Sequence, residues 1–141
     1  MLKYSLFLML MLVTSLSYSQ EDSKSKAIDA LLEENKAREN TEQIMLGLIR
    51  SYVNKKPNAP KSLEQEILKS LDWKSYMAKV KAAYAKAYTE EEIKELTELH
   101  RSGKMEQYKQ KSERVSQALY DIGSEFGRES VKVIQQKLQG Y

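Results

Sequence analysis

Residues 73–103 read WKSYMAKVKAAYAKAYTEEEIKELTELHRSG, and their punctuation decides the fold class. Trp73, Tyr76, Met77, Val80, Ala83, Tyr84, Ala87 and Tyr88 recur at spacings that put them on one face of a helix. Thr89-Glu90-Glu91-Glu92 follows, with a hydroxyl at an N-cap position and a carboxylate three residues on. This is the reciprocal pattern of a capping box, and it sets three acids on a positive helix terminus. Ile93, Leu96 and Leu99 form the apolar face of the next helix. Ser102-Gly103 then supplies the glycine that a left-handed C-terminal turn favours. Two capped amphipathic helices in succession set an all-α expectation for the chain.

The reading extends in both directions. Asp72 is placed to cap the first of these helices, and Ser62 with Gln65 has capping-box spacing ahead of Leu63, Ile67, Leu68 and Leu71. Lys56-Pro57-Asn58-Ala59-Pro60-Lys61 holds both prolines of the chain, and each removes a backbone donor and restrains its predecessor, so no helix crosses this point. Residues 37–55 carry Ile44, Met45, Leu48, Ile49, Tyr52 and Val53 at helical spacing, and residues 23–35 carry Ile28, Leu31 and Leu32. Asn35 or Asn40 marks a break between them, although the pattern fits one helix as well as two. Beyond Gly103, Met105, Tyr108, Val115, Leu119, Ile122, Phe126, Val133, Ile134 and Leu138 suit one long closing helix. Gly123 and Gly127 on it mark either the close approach of a neighbouring helix or a bend. The expected architecture is a compact bundle of about five or six helices.

The N-terminus has a different character. Met1-Leu2-Lys3 is a short basic segment, Leu6 to Val13 is uninterruptedly apolar, and Ser17 and Ser19 put small side chains where a signal peptidase reads. The apolar run is too short to span a bilayer, which needs about 20 residues. Residues 1–19 are therefore expected to be a cleaved signal peptide, leaving residues 20–141 as a single helical domain. With no cysteine there is no lipobox, so the expected destination is the periplasm or the extracellular medium, without a lipid anchor. No later segment is apolar for long enough to give a stable membrane span.

Composition narrows function mainly by exclusion. The formal charge is +3, lower by one once Lys3 is discounted, and Glu and Lys alternate along most of the chain. A nucleic-acid binder concentrates its bases on one face, so nucleic acid is not an expected partner. The missing cysteines exclude disulfides, thiolate metal sites and thiol nucleophiles.

Ala83-Tyr84-Ala85-Lys86-Ala87-Tyr88-Thr89-Glu90-Glu91-Glu92-Ile93-Lys94-Glu95-Leu96, followed by Leu99-His100-Arg101-Ser102-Gly103-Lys104, resembles the bacterial family called domain of unknown function 2059. The resemblance is best over residues 73–127, and the leucines near Leu31 also suit the family's upstream region. Its members look like small exported helical proteins with a tyrosine-bearing helix, a threonine-glutamate helix start and an aromatic-x-serine turn leading to a glycine. Two departures stand out: Leu99-His100 replaces the family's aromatic pair, and Ser102 and Gly103 are adjacent where the family has a longer segment. The resemblance implies a helical fold and export, and no activity.

The residues that could carry chemistry are few. His100 is the only histidine, and Thr97 stands where a Glu-x-x-His metal motif would need its acid, so no metal or other cofactor is expected and His100 reads as a helix C-terminal residue. Ser102 is two residues from His100 and cannot face it on a helix, which leaves no nucleophile pair and no expected catalytic residue. Trp73, Tyr76, Tyr84, Tyr88 and Thr89 form the candidate binding face, a groove lined by rings and hydroxyls; the competing reading is that the tyrosines pack a core. The functional expectation is a non-enzymatic binding module of the cell envelope with an unidentified protein or small-molecule partner. The alternative is a small hydrolase using carboxylates between Glu90 and Glu98. A homo-oligomer joined through the C-terminal helix is also compatible with the pattern.

Overall fold

The computed structural model describes residues 20–141, and the expected signal peptide lies outside the described residues. The described chain is all-helical, with six helices and no strand. They are α1 (20–34), α2 (Ala37–Val53), α3 (Ser62–Ser70), α4 (Trp73–Ala87), α5 (Glu90–Arg101) and α6 (Met105–Lys137).

Helix boundaries follow local chemistry at most junctions. Asp72 caps α4 by accepting from the Ser75 amide at 3.0 Å. The capping box of α5 is complete: Glu92 N–H donates to Thr89 Oγ1 at 3.2 Å, and Thr89 N–H donates to Glu92 Oε2 at 2.9 Å. Gly103 closes α5 at φ +71, where an added side chain would be strained. α3 corrects the expectation at Ser62. Leu63 N–H donates to Pro60 O at 3.0 Å, so the turn opens before Ser62, Lys61 takes the cap position, and no side chain caps the helix.

The break between α1 and α2 rests on one residue. Lys36 adopts φ 52 and ψ 40, the left-handed region, and among the described residues no other non-glycine residue has a positive φ. Asn40 Nδ2 donates to Asn35 O across the bend at 3.1 Å.

Burial divides into two cores. The first joins Met45, Leu46, Ile49 and Val53 of α2 to Leu63, Ile67 and Leu68 of α3, with Leu71, Trp73, and Phe126 and Ile134 of α6. The second joins Ile28, Leu31 and Leu32 of α1 to Val80 and Tyr84 of α4, Tyr88 at the end of α4, Ile93 and Leu96 of α5, and Val115 of α6. Each fully buried aliphatic side chain, such as Leu31, Ile49 or Ile93 at 0% exposure, contributes about 1.5–3 kcal/mol. α6 spans both cores, and Tyr76 of α4 packs against each. Gly123 and Gly127 do not mark a close approach: a Cβ built at either meets nothing within 4 Å, and α6 is continuous through them.

Candidate functional site

Two concavities lie on either side of Tyr76. The first is a groove of about 300 Å³ between α4 and α6, lined by Leu71, Tyr76, Ile122, Phe126, Ser130 and Val133 among others. α4 and α6 both turn apolar residues inward here because their stripes repeat at helical period. The Tyr76 ring stacks on Phe126 at 4.4 Å between centroids with planes 24° apart, and Trp73 packs against Phe126 at 5.0 Å. The Arg38 guanidinium carbon stands over the Trp73 ring, 4.5 Å from its centroid, a cation–π contact that helps to hold the indole. The Trp73 indole N–H donates to Leu68 O at 2.8 Å and is fully committed. The groove thus has an aromatic floor set by packing rather than by solvent.

Its rim is charged in both signs. Lys79 of α4 reaches Glu125 of α6 at 2.8 Å, a strap between the two helices, and Lys132 pairs with Glu129 at 2.8 Å. The Lys79 ammonium holds the Glu125 carboxyl below the usual carboxylate range. Among the groove's residues Ser130 stands apart. It is 1% exposed, and its hydroxyl has no hydrogen-bond partner.

The second concavity, about 340 Å³, lies where α1 bends into α2 and is bounded by Asn35, Thr41, Tyr76, Tyr84, His100 and Tyr108 among others. Polar groups converge here. Thr41 Oγ1 donates to Ala37 O at 2.9 Å, so at 3.2 Å from the Tyr76 hydroxyl it accepts that group's proton. Asn35 Nδ2 donates to the Tyr108 hydroxyl at 3.2 Å, and the His100 ring meets Tyr108 edge-on at 5.2 Å. His100 sits in the last turn of α5, with Nδ1 3.5 Å from Glu34 Oε1. Burial, with the Tyr108 hydroxyl beside it, pushes the Tyr84 phenol up, so it stays a neutral donor at any physiological pH.

The candidate face expected from sequence is not one surface. Trp73 belongs to the first core, Tyr84 and Tyr88 to the second, each no more than 6% exposed, so these three rings are packing residues. Tyr88 also donates its hydroxyl to Lys111 O at 2.7 Å. Thr89 spends its side chain on the α5 cap. Tyr76 alone of the five lines the α4–α6 groove. Its partners Phe126, Val133 and Ile122 stood in the stripe of the closing helix, but nothing local in the sequence pairs that stripe with α4.

The acids between Glu90 and Glu98 are dispersed along α5. Glu90 bonds Ser23 at 2.7 Å and Lys94 at 2.5 Å, Glu92 is held by Arg114 and the cap, Glu95 pairs with Lys111, and Glu98 with Arg101. None of them lines either cavity. Among the described residues no group of three or more His, Cys, Asp or Glu side chains is placed to hold a metal ion, and no helix is long and apolar enough to cross a membrane. No family model matches the chain, and no curated protein or solved structure is significantly similar to it.

Proposed function

We propose that this chain is an exported, non-enzymatic binding module of a bacterial envelope, and that its α4–α6 groove holds an aromatic or branched aliphatic side chain of a partner protein. The observation that carries this reading is the groove's make-up: stacked Tyr76 and Phe126 rings as a floor, flanked by Lys79, Glu125, Glu129 and Lys132. Its volume, about 300 Å³, is at the lower end of ligand pockets and suits one or two side chains better than a large cofactor. Both signs of charge on the rim fit a protein segment better than a uniformly anionic surface. Export is supported by the signal-like residues 1–19 and by the resemblance of residues 83–104 to domain of unknown function 2059.

The test uses indole and p-cresol as stand-ins for the anchor, titrated into isotope-labelled protein purified as the expressing cell leaves it. Amide shifts should concentrate around Tyr76, Phe126 and Val133, and Val133→Glu should abolish them while the circular dichroism spectrum is retained. Shifts spread over the surface, or unchanged by Val133→Glu, would overturn the groove assignment. An N-terminus at Gln20 in the exported fraction checks the signal.

A further inference from the structure

Among the described residues, the bend at Lys36 is the one place where non-glycine backbone is held left-handed, and nothing in its sequence requires it. Asparagine and lysine are both tolerated in right-handed helix, no proline lies in residues 20–53, and the one glycine there, Gly47, sits inside α2 well away from the bend. The N-terminus of α2 has no side-chain cap, so its first-turn amides lack the carbonyls that residues 33–35 would offer in a continuous helix. Returning Lys36 to right-handed geometry would relieve the strain, satisfy those amides and fuse α1 and α2 into one rod of about 50 Å.

That rod would carry α1 out of the second core, where Ile28, Leu31 and Leu32 are buried with Val80, Ile93 and Leu96. The vacated apolar face has a shape that one known segment fits, α1 itself. We infer that two copies of this chain exchange α1 reciprocally, forming a symmetric dimer in which each straightened α1–α2 rod docks its N-terminal half on the partner's α4–α5 face.

The contacts that hold α1 would be regained between chains, because they join α1 to elements beyond the bend. They include the Asp29–Lys81 ion pair, Lys24 to Ala85 O at 2.6 Å, and Asn35 to Tyr108 at 3.2 Å. The losses are local to the hinge, chiefly the Asn40 to Asn35 O bond. Exchange therefore trades hinge geometry and association entropy against one another, with core burial unchanged.

Light scattering over a range of concentrations tests this on wild type, Lys36→Gly and Lys36→Ile, purified as the expressing cell leaves them. Glycine accepts the bend and should lower the dimer-to-monomer ratio at least about tenfold, because each dimer straightens two hinges. β-branched isoleucine resists the left-handed region and should raise it. The absence of native cysteine permits a second readout. An Asp29→Cys chain and a Lys81→Cys chain, refolded together and treated with a short bismaleimide, should give a 29–81 crosslink between chains in the dimer fraction. Both sites are exposed ends of a surface ion pair, so folding is preserved. A chain that stays monomeric even as Lys36→Ile, a dimer indifferent to residue 36, or a dimer without the 29–81 link would each overturn the inference.

Discussion

Arg114 grips Glu92 with two prongs, Nη2 at 2.8 Å from Oε1 and Nη1 at 3.3 Å from Oε2, while its guanidinium carbon lies 4.6 Å from the centroid of the Tyr88 ring. The same Nη1 donates to Ala87 O at 3.0 Å. One planar group thus joins the end of α4, the cap of α5 and the side of α6. A lysine can supply the charge but neither the fork nor the stacking. Arg114→Lys should therefore lower the melting temperature almost as much as Arg114→Gln, whereas Arg101→Lys, at an exposed pair, should leave it nearly unchanged. Thermal circular dichroism checks the comparison.

The acid limb of stability should depend on the same contact. Hydrogen bonding from Arg114 and from the Thr89 amide holds the Glu92 carboxyl below its ordinary value; Lys94 and Ser23 do so for Glu90, and Lys79 for Glu125. A carboxyl depressed in the folded state adds stability above the unfolded value, about 4.3, and loses it as pH falls through the depressed one. Stability should be flat near neutrality and decline below about pH 4. Arg114→Gln should make that decline shallower in acid titrations of the melting temperature, and an unchanged slope would refute the assignment.

Thr89→Ala removes the hydroxyl that accepts from Glu92 N–H and should cost about 1 kcal/mol, a fall of roughly 4 °C in Tm. Thr89→Ser, which keeps the oxygen, should recover most of it in chemical denaturation.

Ser130→Ala should act in the opposite direction. The hydroxyl is buried without a partner, and alanine is the better helix former, so a gain of about 1 kcal/mol is expected in urea unfolding. A loss of stability would show that the hydroxyl is bonded in solution.

Tyr84→Ala should cost about 3–5 kcal/mol, the range for truncating a buried ring, because its side chain is enclosed in the second core. At a temperature where the variant remains folded, indole should still perturb the amides around Phe126. Loss of that response would place Tyr84 in the binding groove after all.

What could be read from sequence was what short segments decide for themselves. The Thr89–Glu92 box, the Asp72 cap and the Ser102-Gly103 stop each depend on atoms a few residues apart, and all are present. Ser62 misled because Pro60 just upstream starts the turn earlier, moving the serine inside the helix. The Lys36 bend was legible only in part: Asn35 is one of two candidate break points, but the apolar pattern fits one helix as well as two, and burial of α1 against α4 and α5 imposes the reversal. The groove required knowing that Tyr76 meets Phe126, residues brought together only by the docking of α6. Tyrosines placed on one helical face were correctly read as apolar, yet the face is wide enough to serve two cores at once.

The long last helix carries one more implication. Val115 belongs to one core and Phe126 and Ile134 to the other, with Gly123 and Gly127 at or beside the handover. Glycine is the weakest of the ordinary residues in a helix interior, so the backbone amides around 123–127 should exchange with solvent faster than those at either end of the rod. The protein would then open as two cooperative halves joined by a soft segment, and Tyr76, which touches both, would be the side chain through which the opening of one half is felt by the other.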